Sequence, residues 1–234
     1  MRKLQIIMAR KKYNLGEEIP RGKQYKEAEL ILLFKLNRIV THYTPLMHEW
    51  LKVENPTFDN FEQTLFDRKL SDAQTQLMGW SEEDLKMKFI THIIDLGYLV
   101  AGNNIVTYFD KIISATVEGV KLTVKSDFMM AKGLYDYFDV PYFHFQEYKP
   151  YKNPSGDSMA QLLEAFMIAQ VKNKNGKPLY GVDIMGANWK FVIMEGKDYC
   201  ISKSYESTNA EDLLQIIAVL RKFKEILLPK LMIG

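Results

Sequence analysis

Three stretches decide the fold: Lys111–Val117 (KIISATV), Val120–Met130 (VKLTVKSDFMM) and Pro141–Lys149 (PYFHFQEYK). The first two flank Glu118-Gly119, the signal of a tight hairpin, and the third is rich in aromatic residues, so the three read as successive strands. Upstream, Ser81 followed by Glu82, Glu83 and Asp84 has the form of an N-cap with an acidic first turn. Phe89, Ile90, Ile93 and Ile94 continue it as the apolar stripe of a helix that runs to about Leu96 and stops at Gly97. Downstream, Pro150, Asn153, Pro154 and Gly156 break the chain, and Ser155 or Asp157 caps a helix over Ser158–Val171. After a basic loop (Lys172, Lys174, Lys177), strand-like runs follow at Leu179–Met185, Trp189–Met194 and Tyr199–Ser202, and a helix from about Ala210 to Leu228 closes the chain. The order helix, three strands, helix, strands, helix predicts an α/β fold with helices on both faces of a sheet.

The first 80 residues are less regular. Residues 1–23 are basic and polar, carry Gly16, Pro20 and Gly22, and read as a tail. Leu30, Phe34, Ile39 and Val40 give residues 24–53 a helical pattern interrupted near Pro45, whereas 54–80 read as polar and irregular with short helical segments. The expected organisation is an N-terminal tail and helical extension over 1–80 and a core domain over 81–234.

Composition bounds the function. The 234 residues are 47% apolar and 26% charged, an ordinary globular balance that excludes a disordered or fibrous chain. The longest apolar runs, such as Leu30–Phe34, are far shorter than a bilayer span, and Met1–Ile7 lacks the length of a secretory apolar region. One cysteine, Cys200, excludes an internal disulfide framework and a cysteine zinc cage, so a reducing cytoplasm is the simplest setting. With 31 basic against 29 acidic residues the net charge is +2, too mild to announce a nucleic-acid partner by itself.

The chemistry concentrates at the end of the third strand. Side chains i and i+2 of a strand share a face, so Glu147 and Lys149 point together beyond Phe143 and Phe145. A carboxylate and an ammonium ending an apolar face are expensive unless paired or bound to a cation. A second acid, Asp127, lies on the preceding hairpin. Two carboxylates brought together repel, and a hard divalent cation relieves that repulsion. An acid-x-Lys triplet is weak evidence alone, and the chain has four: Asp67-Arg68-Lys69, Asp84-Leu85-Lys86, Glu147-Tyr148-Lys149 and Glu195-Gly196-Lys197. Only Glu147 and Lys149 end an apolar strand, follow a hairpin bearing an Asp, and precede an amphipathic helix.

This order resembles the PD-(D/E)XK nuclease superfamily, the restriction-endonuclease-like proteins. The resemblance runs through Val124-Lys125-Ser126-Asp127, then Gln146-Glu147-Tyr148-Lys149, then the helix opening Met159-Ala160-Gln161-Leu162-Leu163-Glu164, and covers residues 81–205 as an order of elements. It implies a restriction-endonuclease-like mixed sheet flanked by helices and a Mg²⁺- or Mn²⁺-dependent nuclease. Asp127 and Glu147 would be metal ligands with the carbonyl of Tyr148, Lys149 the catalytic lysine, and Gln161 a supporting glutamine. Glu83 would be the acid of the first core helix, a part that Glu82 could take instead. DNA is the substrate expected by family analogy. Two departures stand out: Ser126 replaces the family's Pro, and strict alternation from Val120, Leu122 and Val124 puts Asp127 on the polar face. Asp127 reaches Glu147 only if a bulge or bend intervenes near Ser126, or if the opposite face is the active one.

Plainer readings compete. Asp127 can be a solvated strand residue, Glu147 and Lys149 a same-face ion pair, Gln161 a surface or capping side chain, and Glu83 a first-turn acid favoured by the helix dipole. His42, His48, His92 and His144 show no ligand spacing, and Cys200 reads as a small core residue. The alternative to an enzyme is a catalytically inactive nucleic-acid-binding or protein-interaction module on the same fold, with the helical region before residue 81 serving a partner chain or a homodimer. A third reading moves the site to Asp183, Glu195 and Lys197.

Overall fold

A computed structural model describes residues 24–99, 105–135, 137–151 and 155–229. The expected basic tail over 1–23, and the chain-breaking Asn153 and Pro154, lie outside the described residues. The elements are, in order, α1 (Glu27–Phe34), β1 (Asn37–Ile39), α2 (Pro45–Leu51) and α3 (Asn60–Gln76). Next comes α4 (Glu82–Leu85), which passes through a π-helical stretch (Lys86–Ile90) into α5 (Thr91–Leu96). The strands β2 (Ile105–Val117), β3 (Val120–Leu134) and β4 (Tyr137–Lys149) lead to α6 (Ser158–Asn173). They are followed by β5 (Leu179–Met185), β6 (Asn188–Glu195), β7 (Asp198–Ile201), β8 (Tyr205–Glu206) and α7 (Ala210–Lys222), the last extended by a π-helical stretch over Phe223–Leu227.

The strands form one mixed eight-stranded sheet in the order β1-β7-β6-β5-β4-β3-β2, with β8 beside β6. Strands β2 to β4 form an antiparallel meander, as do β5 to β7. The two halves join through the parallel pair β4–β5, whose connection is α6, the crossover that parallel neighbours require. Alternation sends successive side chains to opposite sides. Met129, Ala131, Phe145, Val192 and Met194 pack under α6 and α1. Phe128, Met130, Tyr148, Val182 and Phe191 pack against α2, α3, α5 and α7 on the other face, and so does Phe143, because the register shift between Met130 and Ala131 takes it off the expected face of Phe145.

Residues 27–80 belong to this same core. Trp50 is fully buried, 5.0 Å from the rings of both Tyr180 and Phe191, and its indole N–H donates to the Val219 carbonyl at 2.9 Å. Arg221 of α7 donates to the carbonyls of Leu96 and Thr57 and to Glu62 of α3, and its guanidinium lies 3.9 Å over the ring of Tyr98. Residues read as irregular thus contain a 17-residue helix, α3. Its buried stripe is narrow, Phe66, Lys69 and Ala73, so apolar periodicity gives little signal. The legible signal was its capping box, Asp59 accepting from the Glu62 N–H and Glu62 from the Asp59 N–H. Strand β1, three residues at the sheet edge, carried no pattern at all.

Candidate functional site

The site forms where β3 and β4 part. Their last paired residues are Phe128 and Gln146. One step further the ladder is replaced by a side chain: the backbone N–H of Tyr148 donates to Oδ2 of Asp127 at 2.7 Å. This bond ties Asp127 to the residue lying between Glu147 and Lys149.

The alternation problem is resolved by an irregularity at this point. Leu122 and Val124 face the α6 side, and so do Met129 and Ala131, so the parity of β3 reverses between Val124 and Met129. Strand β2 reverses in step, with Val106 and Tyr108 on that side before the break and Ile113, Ala115 and Val117 after it. The register of the two strands is constant, yet Asp110 and Asp127, which it sets opposite each other, form no ladder pair. Asp110 has a φ of 56°, and the hydroxyl of Ser126 donates to the Phe128 carbonyl at 2.9 Å. Past the break Asp127 has the orientation of Met129, just as Glu147 has that of Phe145.

Burial sets the electrostatics. Glu147 is fully buried, its carboxyl oxygens make no well-formed hydrogen bond, and the side chain and backbone of Asp127 are the polar groups that reach it. Burial, reinforced by the neighbouring Asp127 charge, pushes its carboxyl well above the usual range. Burial also raises Asp127, against the Tyr148 N–H and the Lys149 charge, which both lower it. The Lys149 ammonium, buried like the acids, pairs with Glu82 of α4 at 3.4 Å.

On the opposite face of β4 the Tyr148 hydroxyl donates to Gln146, whose amide nitrogen lies 3.1 Å from Nε2 of His144. That buried network fixes the strand's rotation from behind. Burial holds His144 down to about 3, which leaves it neutral at ordinary pH.

The expected residues are therefore brought together unequally. Asp127, Glu147 and Lys149 converge. Of the two helix acids, Glu82 meets the lysine and Glu83 is exposed, because consecutive residues of a helix point about 100° apart and only one can face the sheet. Gln161 lies in the first turn of α6 with its Oε1 buried and without a hydrogen-bond partner. The grouping of Asp183, Glu195 and Lys197 does not form: Glu195 ends β6 opposite Asp198, and Lys197 pairs with Glu118 at 2.6 Å. Asp183 instead sits beside Glu147 in the parallel register of β4 and β5, with Oδ1 buried and unpartnered. Burial raises its carboxyl, while the Ser158 hydroxyl opposes that. An Asp inside the buried run of β5 was the sequence signal for this neighbour.

Among the described residues no three His, Cys, Asp or Glu side chains are arranged as a preformed metal cage. The acids present are nonetheless hard oxygen donors, the carboxyls of Asp127 and Glu147. That set suits Mg²⁺ or Mn²⁺, which take one or two carboxylates and complete their shell with water and phosphate oxygens. No protein-family model matches the chain, and no curated protein matches its sequence.

Proposed function

We propose that the protein is a divalent-metal-dependent phosphodiesterase acting on nucleic acid, DNA by preference, on a restriction-endonuclease-like core. The observation that carries this reading is Glu147: an acid with no exposed surface and no well-formed hydrogen bond, pressed against a second buried acid, Asp127, and beside a buried ammonium. Such a group is costly in a purely structural role, and a cation between the two acids would remove the cost. The order of the core elements supports the same reading: three antiparallel strands, a crossover helix and a parallel strand, with the two acids on adjacent strands.

Asp127 and Glu147 would hold Mg²⁺ or Mn²⁺, which when bound lowers the pKa of a water and neutralises charge on a phosphoryl group. The chain's own residues supply the rest. The Tyr148 N–H fixes Asp127, so one ligand is already oriented before any ion arrives. Lys149, held by Glu82, places a positive charge and donor protons beside both acids, where it stabilises negative charge developing on the phosphate and orients the attacking water. The buried wall of β4 excludes bulk water and strengthens each of these interactions.

The test is cleavage of duplex DNA, single-stranded DNA and RNA by purified protein with Mg²⁺ or Mn²⁺, comparing wild type with Glu147→Ala and Lys149→Ala. Metal-dependent cleavage lost in both variants is the expected result. Wild type that binds neither cation and cuts none of the three substrates overturns the reading.

The internal partners that Asp127 and Lys149 already have, the Tyr148 N–H and Glu82, favour a second reading, an inactive nucleic-acid-binding or interaction module on the same scaffold. Salt-sensitive binding that ignores divalent cations and survives Glu147→Ala would select it.

A further inference from the structure

Asp110 lies outside the set just described, yet the β2–β3 register sets it directly opposite Asp127, between the pairs Phe109–Phe128 and Lys111–Ser126. Its two carboxylate oxygens are taken by two different lysines. Oδ1 accepts from Lys125 of β3 at 2.9 Å, and Oδ2 accepts from Lys86 of the π-helical stretch.

The two lysines differ. The Lys86 side chain is 10% exposed and lies over the Phe109 ring at 5.6 Å, whereas those of Asp110 and Lys125 are 41% and 58% exposed. One cation is thus built into the protein, the other reaches in from solvent, and the anion between them is open to water. The backbone at Asp110 is left-handed, a conformation that non-glycine side chains seldom take. That turn coincides with the missing ladder pair that re-aims Asp127.

We propose that Lys86 and Lys125 form a seat for a phosphodiester of the nucleic-acid backbone neighbouring the one attacked, and that Asp110 occupies this seat as an internal anion in the free protein. The inference rests on the nucleic-acid reading above. Its chemistry is specific: a phosphodiester presents two non-bridging oxygens sharing one negative charge, as a carboxylate does, so it can replace Asp110 oxygen for oxygen. A buried lysine paired only for stability would be better served by a buried acid. Here the partner is accessible, and its displacement leaves both cations compensated by the incoming phosphate. The position follows from the register, since the residue across the ladder from a candidate metal ligand is one strand away from the reacting centre.

The experiment is fluorescence anisotropy of a labelled duplex DNA in EDTA over a series of KCl concentrations, so that no cleavage step enters. Asp110→Asn keeps the shape and suits left-handed backbone while removing the competing charge. It is expected to tighten binding several-fold at low salt and to steepen the dependence of log K on log salt. Lys125→Ala, at an exposed position, is expected to weaken binding and to reduce that slope by about one. Lys86→Met is expected to weaken it further, and thermal unfolding of each variant identifies any loss from misfolding. If wild type binds DNA while Asp110→Asn and Lys125→Ala both leave affinity and slope unchanged, the seat is disproved and the nuclease reading stands. Wild type with no affinity for the duplex under any of these conditions disproves the seat, and the cleavage assay above then decides the nuclease reading on its own.

Discussion

The backbone N–H of Tyr148 is held by the carboxylate of Asp127 at 2.7 Å, in the place where the next rung of the β3–β4 ladder would fall. One side chain therefore stops the pairing of two strands and fixes the residue between Glu147 and Lys149. The hydrogen bond orients Asp127 but leaves Glu147 with no well-formed bond and only Asp127 beside it, an arrangement that a cation between the two acids would relieve.

A divalent cation should stabilise the protein. Glu147 and Asp127 both have raised carboxyls, so the folded state holds protons that the unfolded chain releases, and stability falls as pH rises above the ordinary carboxylate range. At pH 7.5, Mn²⁺ at 100 times its Kd adds about 2.7 kcal/mol, which calorimetry reads as a Tm rise of roughly 5–10 °C. Glu147→Gln should raise the metal-free Tm and abolish the response to Mn²⁺. A variant that still responds fully would remove Glu147 from the ligand set.

Lys149 should matter to turnover more than to substrate binding. Lys149→Ala is expected to lower kcat about 100-fold or more with KM little changed, because the charge it stabilises develops only in the transition state. Steady-state kinetics on a DNA substrate measure this. Glu82→Gln, which only loosens the lysine, should cost far less, and equal losses in both variants would argue that Lys149 acts through the ion pair alone.

A further buried acid, on α6, gives a pH signature of its own. Burial pushes Glu164 of α6 up to about 8. Its folded pKa lies above its unfolded one, so its contribution is complete below about 4.5 and is lost as pH climbs toward 8. Wild-type Tm should fall by roughly 5 °C between pH 6 and pH 9, and Glu164→Gln should flatten much of that fall. An unchanged profile would place the titration elsewhere.

Residues before position 81 should be indispensable to folding. Arg221→Ala removes the cation 2.7 Å from Glu62, leaving that largely buried acid to the Tyr98 hydroxyl and the Asp59 N–H, and frees two carbonyls, costing about 3 kcal/mol in denaturant unfolding. A chain starting at residue 81 lacks Trp50, Phe66 and Ala73 from the shared core. It should show no cooperative transition, and a sharp one would mean that the extension is a separable unit.

Much of the architecture was legible because it obeys local rules. The hairpin at Glu118-Gly119, the Ser81 cap, the break before α6 and the apolar runs of β5 and β6 each state their own structure, and the mixed α/β sheet flanked by helices follows from their order. What failed to show were elements held mainly by distant partners. Strand β1 pairs with β7 at the sheet edge, and α3 gains its place from Arg221 and Tyr98, which lie far along the chain.

The candidate site divides the same way. The sequence by itself determined that an acid, a spacer and a lysine end an apolar strand, because alternation is a property of the backbone and needs no partner. Only the tertiary structure decided that Asp127 joins them, since that depends on Asp110 and Asp127 reversing the parity of two strands together. It likewise decided that Glu82 rather than Glu83 meets Lys149 and that Asp183 lies beside Glu147. Helix rotation and strand register are set by packing between elements, and no local stretch of chain encodes them.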